Sequence, residues 1–391
     1  MRSHPVQTAG RAAALTLILA VVALLPVAAS GARGRAQRPQ LAAAASPAAI
    51  VARLSTAQLA GQRIIDAYGG LTPPASLLRA IRAGEVAGVI FFGPNVSSPV
   101  QLRGVIAQLQ RANAAGPVRA PLLMLTDQEG GLVRRLPGAP ALSERQIGAS
   151  AAASALAAAA GSGAAGTLRA VGINVNLAPV LDVFRAPGNF IDRFQRSYSS
   201  SASVAAALGS AFIAAQQHAG VAATAKHFPG LGAATASQNT DERPVTLPLS
   251  LSALRTIDEA PYRAVIAAGV RLVMVSWATY PALDPRRPAG LSQQVIGGEL
   301  RGRLRFRGVT LTDGLGAGAL SAFGGFARRG VLAAQAGADL LLCSVLVPQD
   351  NTPANGLAAL GGIQAGLARG TLDRASAQQA AARVIALRAS L

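Results

Sequence analysis

The sequence has little of what cross-linked and metal-dependent folds require. Its 391 residues include one cysteine, Cys343, and three histidines, His4, His218 and His227. A single cysteine excludes a disulfide scaffold and any zinc or iron–sulfur site that needs several thiolates. Three scattered histidines leave little material for a histidine metal site, so we expect neither a metal nor another cofactor.

Aromatic and charged residues are also scarce, at 4% and 14% of the chain, whereas hydrophobic residues make up 51%. Such a composition can bury a large core and is unlike that of a disordered chain. Once a short amino-terminal segment is subtracted, the remaining length suits one large α/β barrel or two medium domains.

The net charge of +19 is at first sight that of a nucleic-acid-binding protein. However, 35 of the 36 basic residues are arginines spread along the chain, and few aromatic residues lie between them. Nucleic-acid-binding proteins cluster their basic residues instead, so we expect no nucleic-acid partner. The one lysine, Lys226, is the exception that suggests a function, because its compact ammonium cannot be replaced by a planar guanidinium.

The amino terminus has the order of a secretory signal. Arg2 and Arg11 precede an apolar run over residues 12–29, and small residues follow it. This order predicts a signal peptide over residues 1–32, followed by a flexible linker rich in Ala, Arg and Pro over residues 33–50. The alternative is a permanent membrane anchor, because the run approaches spanning length. We therefore expect a secreted or cell-envelope bacterial protein that meets the membrane only if the segment stays uncleaved.

Beyond the linker, short aliphatic runs alternate with helical patterns. Strands are predicted at residues 62–67, 88–92, 122–126, 173–177, 222–225, 272–275, 309–312 and 338–342. Helices are predicted at residues 74–83, 100–114, 150–170, 203–219, 252–268, 292–304, 325–336 and 372–391. Eight strands in alternation with helices indicate a (β/α)₈ barrel or a doubly wound sheet, formed by residues 51–391 as one domain.

Four of the predicted strands end in polar or charged residues beside Gly or Pro, which is more than core packing requires. Chemistry in such a barrel takes place at the carboxyl ends of the strands. The stretches concerned are TDQEGG at residues 126–131, NVNLAPVLD at 174–182, KHFPG at 226–230 and TDG at 312–314. They point to a functional site.

Three stretches resemble signature sequences of glycoside hydrolase family 3, in its compact bacterial β-N-acetylhexosaminidase branch. They are DQEGGLVRR at residues 127–135, GINVNLAPVLD at 172–182 and KHFPG at 226–230. The resemblance runs from about Ser55 to the carboxyl terminus. It implies a (β/α)₈ TIM-type barrel, a carbohydrate substrate, and retaining hydrolysis of a terminal β-linked sugar through a covalent glycosyl-aspartate intermediate.

By position in this resemblance, Asp313 is the nucleophile. The residues matched to those that hold the non-reducing sugar through its hydroxyls are Asp127, Arg135, Arg196, Lys226 and His227. The residue types suit these roles, because a fixed carboxylate at a strand end can attack an anomeric carbon and cationic groups can donate to hydroxyls. For Arg196 the sequence leaves a second possibility open, a local ion pair with Asp192.

The acid/base departs from the family pattern. The branch places a histidine, supported by an aspartate two residues earlier, in the loop after the fifth strand; the matching positions here hold Asn239 and Ser237. Neither can donate a proton at a useful pKa. The nearest titratable groups are Asp241 and Glu242, and a carboxylic acid serves if loop closure desolvates it and raises its pKa. We take Asp241 as the first candidate and Glu242 as the second, with no competent donor as the alternative.

Two smaller departures concern Trp277 and Gly314. Trp277 stands where a histidine is common, and its indole can either stack on a sugar or pack in the barrel. Gly314 replaces an acidic residue, which leaves Asp313 without a close carboxylate neighbour in the sequence.

The sequence therefore predicts a secreted retaining exo-glycosidase that acts on terminal β-linked N-acetylglucosamine or a related β-hexoside, from cell-wall material among other sources. Two alternatives stay open. One is a preference for β-glucosides, because nothing in the sequence reads the 2-substituent. The other is a non-catalytic sugar-binding or cell-wall-binding protein that has lost its acid/base.

Overall fold

The computed structural model describes residues 46–391. The predicted signal peptide and residues 33–45 of the predicted linker lie outside the described residues. Within residues 46–391, no helix combines the length and the apolar character that crossing a membrane requires.

Eight parallel strands close into a barrel. The chain forms β1 Ile64–Asp66, β2 Gly88–Ile90, β3 Leu123–Thr126, β4 Gln128–Gly130, β5 Val133–Arg134, β6 Val175–Asn176, β7 Ala222–Phe228, β8 Leu272–Val275, β9 Val309–Gly314 and β10 Leu340–Leu342. Strands β4 and β5 form a separate antiparallel hairpin, and the other eight follow one another around the barrel until β10 pairs with β1. The predicted (β/α)₈ barrel is confirmed, and the doubly wound sheet is wrong.

Aliphatic side chains fill the barrel because its strands are buried on both faces. Ile65, Leu125, Val175, Met274 and Leu311 belong to one buried cluster inside it. The register is regular between β8 and β9, which pair from Leu272 with Val309 to Val275 with Thr312, whereas the pairing of β7 with β8 shifts between Ala225 and Phe228. This continuous apolar character is why short runs alone sufficed to predict the barrel strands.

The helices surround the barrel. They are α1 Pro47–Val51, α2 Thr56–Gly61, α3 Ala75–Ala83, α4 Pro99–Ala114, α5 Glu144–Gly148, α6 Ala153–Arg169, α7 Ala202–His218, α8 Leu251–Ala253, α9 Ala260–Ala267, α10 Phe326–Ala336, α11 Pro353–Ala368 and α12 Arg374–Ala389. The helix predicted at residues 252–268 is interrupted by a π-helical turn at Leu254–Asp258. The one predicted at residues 292–304 is a π-helix, Gln294–Arg303.

Small residues let neighbouring helices approach closely. In the alanine-rich α6, a Cβ at Gly161 would lie 2.2 Å from the carbonyl oxygen of Phe212 in α7. Helix α11, which the sequence analysis did not predict, packs in the same way: a Cβ at Gly362 would lie 2.3 Å from the carbonyl oxygen of Ala327 in α10. Glycines lower intrinsic helix propensity, so this helix forms through packing. Its residues therefore do not predict a helix by their propensities alone.

The folded domain begins before residue 51. Ser46 caps α1, whose last residue, Val51, is buried. The last four residues of the predicted linker, 47–50, are therefore helical. They follow an N-cap serine and begin with a proline, Pro47, which together are a helix-starting signal.

Candidate active site

The predicted site residues line one cavity of about 220 Å³ at the carboxyl end of the barrel. They are Asp127, Arg135, Arg196, Lys226, His227, Asp241 and Asp313. Strands β7 and β9 carry three of them, and Asp127 directly follows β3. Because parallel barrel strands present their carboxyl ends on one face, residues that are far apart in sequence converge there.

Lys226 lies at the centre of a buried network of charges. Its Nζ is 2.8 Å from Asp127 Oδ1 and 2.7 Å from Glu129 Oε1. Arg196 binds the same Glu129 with two parallel hydrogen bonds of 2.9 Å, from Nε and Nη2. The network leaves each cation held by a carboxylate, which fixes its position at the cavity wall.

The network determines the charge states of Asp127 and Lys226. Burial alone would raise the pKa of Asp127, but the positive charges of Lys226 and Arg135 outweigh it and hold this pKa well below its usual range. Burial would lower the pKa of Lys226, yet Asp127 and Glu129 raise it above its ordinary value. Both groups are therefore ionised at neutral pH, which makes Lys226 a cationic hydrogen-bond donor.

Arg135 extends from the β4–β5 hairpin, which the sequence analysis did not predict. The turn depends on two glycines with positive φ, Gly130 at 113° and Gly131 at 53°. Arg135 Nη2 lies 3.5 Å from Asp127 Oδ2, and its side chain is 34% exposed. Its Nε is buried and has no hydrogen-bond partner within the described part of the chain. Arg135 therefore lines the cavity as a partly exposed cation beside Asp127.

His227 is oriented by Asp182, to which we assigned no role from the sequence. The Nδ1 of His227 lies 2.7 Å from Asp182 Oδ2, while Asp182 Oδ1 accepts a 2.7 Å bond from the backbone N–H of Leu231. On the other side, His227 Nε2 lies 3.4 Å from Arg196 Nη2. The signal that could have found it is its place at the end of the stretch at residues 172–182, six residues after β6; the contact itself comes from the fold, in which Val180 pairs with Lys226.

Asp313 extends from β9, which continues two residues beyond its predicted end. The backbone N–H of Gly314 donates a 2.7 Å bond to Asp313 Oδ1. Trp277 packs behind this point: it is 1% exposed, and its indole N–H donates a 2.9 Å bond to the carbonyl oxygen of Gly314. Trp277 therefore packs in the barrel and does not present its indole to a sugar.

Asp241 lies on the loop after β7 and faces the cavity. Its backbone is held from both sides: Asn239 Oδ1 accepts a 3.0 Å bond from the N–H of Asp241, and the N–H of Gly318 donates a 2.7 Å bond to its carbonyl oxygen. Burial and the negative charge of Asp313 raise the pKa of Asp241 to about 6, against weaker opposition from Arg196 and His227. A carboxyl group that is partly protonated near neutral pH therefore lies in the same cavity as Asp313.

Its neighbour Glu242 points away from the cavity. The side chain is 47% exposed and accepts bonds from Asn239 Nδ2, at 3.0 Å, and Arg243, at 3.3 Å. Ser237 is exposed as well. Asn239 thus shapes the loop by binding both acidic residues that follow it.

The alternative role for Arg196 is wrong. Asp192 pairs with Arg145 at 3.0 Å, which leaves Arg196 to bind Glu129. Glu129 itself was overlooked as a site residue, although it lies in the DQEGG stretch.

His218 is exposed at the carboxyl end of α7, on the side of the barrel where strand β7 begins.

Comparisons with known proteins identify the family. The glycosyl hydrolase family 3 N-terminal domain matches residues 56–387. A protein of Arthroderma benhamiae, named an uncharacterized secreted glycosyl hydrolase, is 46% identical over 354 residues, or 90% of this chain and 98% of that protein. A β-hexosaminidase of Xanthomonas oryzae pv. oryzae is 37% identical over 66% of this chain and 76% of its own length.

Solved structures agree. A family 3 β-N-acetylglucosaminidase from Paenibacillus superposes with a TM-score of 0.79 at 36% identity; the match covers 86% of this chain but only 63% of that one. A β-N-acetylhexosaminidase from Beutenbergia cavernae gives a TM-score of 0.75 at 33% identity, over 86% of this chain and 98% of its own. The chain therefore belongs to glycoside hydrolase family 3, in its compact β-hexosaminidase-like branch, a family of enzymes that hydrolyse O-glycosyl bonds.

Proposed function

We propose that the protein is a retaining exo-glycosidase in which Asp313 is the nucleophile and Asp241 the acid/base. One observation carries this proposal: Asp241 and Asp313 line the same cavity, and the charge of Asp313 together with burial raises the pKa of Asp241 to about 6. A retaining glycosidase needs such a pair, one carboxylate ionised for attack and one carboxyl group protonated for the leaving group.

The reaction then has two steps. Asp313 attacks the anomeric carbon while the leaving oxygen takes the proton of Asp241, which gives a glycosyl ester and a free alcohol. In the second step Asp241, now ionised, removes a proton from water as the water attacks the anomeric carbon and frees Asp313. Two inversions at the same carbon retain the configuration.

The remaining residues of the cavity hold the sugar. Asp127 accepts from hydroxyls, and Arg135, Arg196 and Lys226 donate to them, with His227 completing this set. Charge-assisted bonds of this kind are stronger than neutral ones and fix the orientation of a ring. The small cavity, of about 220 Å³, supports recognition of a terminal sugar rather than of a polymer interior.

We further propose a β-linked N-acetylhexosamine as the substrate. The support is the names of the relatives, which include a β-hexosaminidase and a β-N-acetylglucosaminidase of the same family. Cell-wall material is a source of such sugars. A β-glucoside preference is the competing specificity, because no residue of the cavity is assigned to the 2-substituent.

We propose that the protein is exported. The support is the charged, apolar and small-residue order of the amino-terminal segment and the word "secreted" in the name of the Arthroderma benhamiae relative. Mass spectrometry of the protein recovered from culture medium tests this: a new amino terminus near residue 32 is expected, and a full-length protein found only with membranes contradicts it.

A substrate panel tests the activity. Aryl β-glycosides of N-acetylglucosamine, glucose and galactose should be compared with the natural disaccharides, on the mature protein. We expect the N-acetylglucosaminides to be cleaved fastest, in both forms, with the β-anomer as the first product by proton NMR. Faster hydrolysis of the glucosides would show that the enzyme prefers β-glucosides instead. Binding of the sugars without cleavage of any glycoside means a sugar-binding protein and contradicts the proposal.

A further inference from the structure

A second cavity, of about 540 Å³, lies at the opposite end of the barrel from Asp313. Four arginines line it: Arg63, Arg301, Arg307 and Arg383. Arg63 directly precedes β1, and Arg307 lies two residues before β9. The cavity is thus at the amino ends of the strands, where the sugar-binding residues do not reach.

The cavity carries more positive charge than its carboxylates neutralise. Asp339, which is fully buried beside it, pairs with Arg301 and with Arg383, the latter at 2.8 Å. Asp373, at the cavity wall, accepts a 2.7 Å bond from the N–H of Ser376 as the cap of α12. Four guanidinium groups therefore meet two carboxylates, one of them already engaged by the helix end.

Because Arg63 is buried, the excess of positive charge at the cavity destabilises the fold. It is 3% exposed, its Nη2 donates to the carbonyl oxygen of Ala338, and its buried Nε has no partner among residues 46–391. Arg301 also has a buried Nε without a partner in that part of the chain. Burial lowers the pKa of Arg63 to about 10; Asp339 opposes this effect and Arg383 adds to it. Unpaired buried donors and charge destabilise a protein unless a ligand satisfies them.

We propose that this cavity binds a phosphate-type dianion, the phosphate group of a small phosphomonoester. A dianion matches the two uncompensated charges, and guanidinium groups bind phosphate oxygens with two parallel hydrogen bonds. The volume leaves space for a small organic group beyond the phosphate. The site is separate from the glycosidase cavity. The proposal therefore does not depend on which sugar the enzyme prefers.

Arg307 distinguishes a binding site from a purely structural cluster. Asp339 directly precedes β10, and its pairs with Arg301 and Arg383 tie the π-helix Gln294–Arg303 and helix α12 to this strand, which by itself stabilises the base of the barrel. Arg307 is exposed, lines the cavity, and makes no side-chain hydrogen bond within the described residues. Its removal should therefore leave the fold unchanged and affect a bound anion.

The test is calorimetric titration of the mature protein with inorganic phosphate and with glucose 6-phosphate, at constant ionic strength, with chloride as the blank. We expect saturable binding of one equivalent of the phosphomonoester, weakened at least about tenfold in Arg307→Ala, the loss of one charge-assisted bond. The matched control is Arg111→Ala, an exposed arginine of α4 outside the cavity, which should bind as the wild type does.

Binding of inorganic phosphate as well supports the site and shows that the phosphate group alone suffices. No saturable heat with either ligand overturns the proposal, as does equal weakening in Arg307→Ala and Arg111→Ala. Thermal unfolding provides a second readout, because a ligand that binds only the folded state raises the melting temperature. A rise with phosphate in the wild type but not in Arg307→Ala is expected; an equal rise in both overturns the site.

Discussion

At the residue scale, the surroundings of Lys226 explain why this basic position holds a lysine although all the others hold arginine. The side chain is 2% exposed, and a single nitrogen approaches two carboxylates at 2.8 and 2.7 Å. A planar guanidinium needs more room and binds one carboxylate in a fork, as Arg196 binds Glu129. In Lys226, one compact ammonium nitrogen is shared between Asp127 and Glu129.

Replacing Lys226 by alanine should weaken sugar binding. We expect product affinity in Lys226→Ala to fall by about 1.5–3 kcal/mol, the usual contribution of a hydrogen bond to a charged group. Calorimetry with the product sugar measures this. Arg243→Ala removes an exposed cation that does not line the cavity and should bind as the wild type does. Unchanged affinity in a folded Lys226→Ala protein rules out the role.

The nucleophile has its own test. Asp313→Ala should abolish turnover of every glycoside while the protein stays folded, because the covalent intermediate can no longer form. Initial rates with a nitrophenyl glycoside, together with circular dichroism, measure this. Asp350→Ala removes an exposed carboxylate outside the cavity and should retain activity. Wild-type rates in a folded Asp313→Ala protein contradict the assignment.

At the scale of elements, the β4–β5 hairpin brings Arg135 to the cavity. A Cβ at Gly130 would lie 2.2 Å from the carbonyl oxygen of Leu142, and the φ of 113° disfavours any side chain. The hairpin therefore depends on this glycine.

We expect Gly130→Ala to destabilise the protein by about 1–3 kcal/mol and to raise KM, since the backbone must shift to remove the clash and Arg135 shifts with it. Urea unfolding and steady-state kinetics measure the two effects. In Gly93→Ala the new Cβ meets nothing within 4 Å, so this variant should resemble the wild type in both. An unaltered KM in Gly130→Ala would mean that the hairpin does not position Arg135.

The sequence predicted the elements whose signal is local. Barrel strands are continuous aliphatic runs, and the residues at their carboxyl ends meet because of the barrel topology, which is why the sequence predicted that Asp127, Lys226 and Asp313 lie together. The hairpin was missed because Gln128–Gly130 is polar and glycine-containing. Helix α11 was missed because it forms by close packing on α10.

The positions of Asp241 and Glu242 depend on contacts that the local sequence pattern does not show. Asp241 and Glu242 are adjacent and chemically alike, so no pattern separates them. The bond from Gly318, on the loop after β9, and the cap from Asn239 direct one toward the cavity and the other to solvent. Likewise, nothing local indicates that Glu129 pairs with Lys226 or that Asp182 binds His227.

At the scale of the whole molecule, the barrel separates two charged regions. The carboxyl end holds Lys226 and its neighbours among carboxylates, and the amino end holds the arginine-lined cavity with its excess of positive charge. Four of the arginines that contribute to the overall charge of +19 therefore line a cavity.

The raised pKa of Asp241 also affects the stability of the whole protein. Because the pKa is about 6 in the folded state against an ordinary 3.8, the folded protein binds more protons between these values. Stability contributed by the protonated carboxyl is therefore present below the lower value and lost as pH rises through the upper one. The uncharged amide of Asp241→Asn avoids this loss.

We expect the free energy of unfolding of Asp241→Asn, relative to wild type, to increase by roughly 1–2 kcal/mol between about pH 4 and about pH 7. Urea unfolding at both pH values measures the change. Glu242→Gln, which alters an exposed carboxylate, should show no such pH dependence. A constant difference between Asp241→Asn and wild type would mean that Asp241 is not held in a desolvated, negatively charged site.

The most direct test of the assignment of Asp241 is the leaving-group dependence of Asp241→Asn. Disaccharide hydrolysis should fall by about 10²–10⁴, the usual scale of general acid catalysis, while glycosylation by nitrophenyl glycosides falls much less. Added azide should speed turnover of the activated substrates and yield a β-glycosyl azide. The basic limb of the wild-type profile, near pH 6 by the pKa of Asp241, should disappear. An unchanged disaccharide rate and an unchanged basic limb would exclude Asp241.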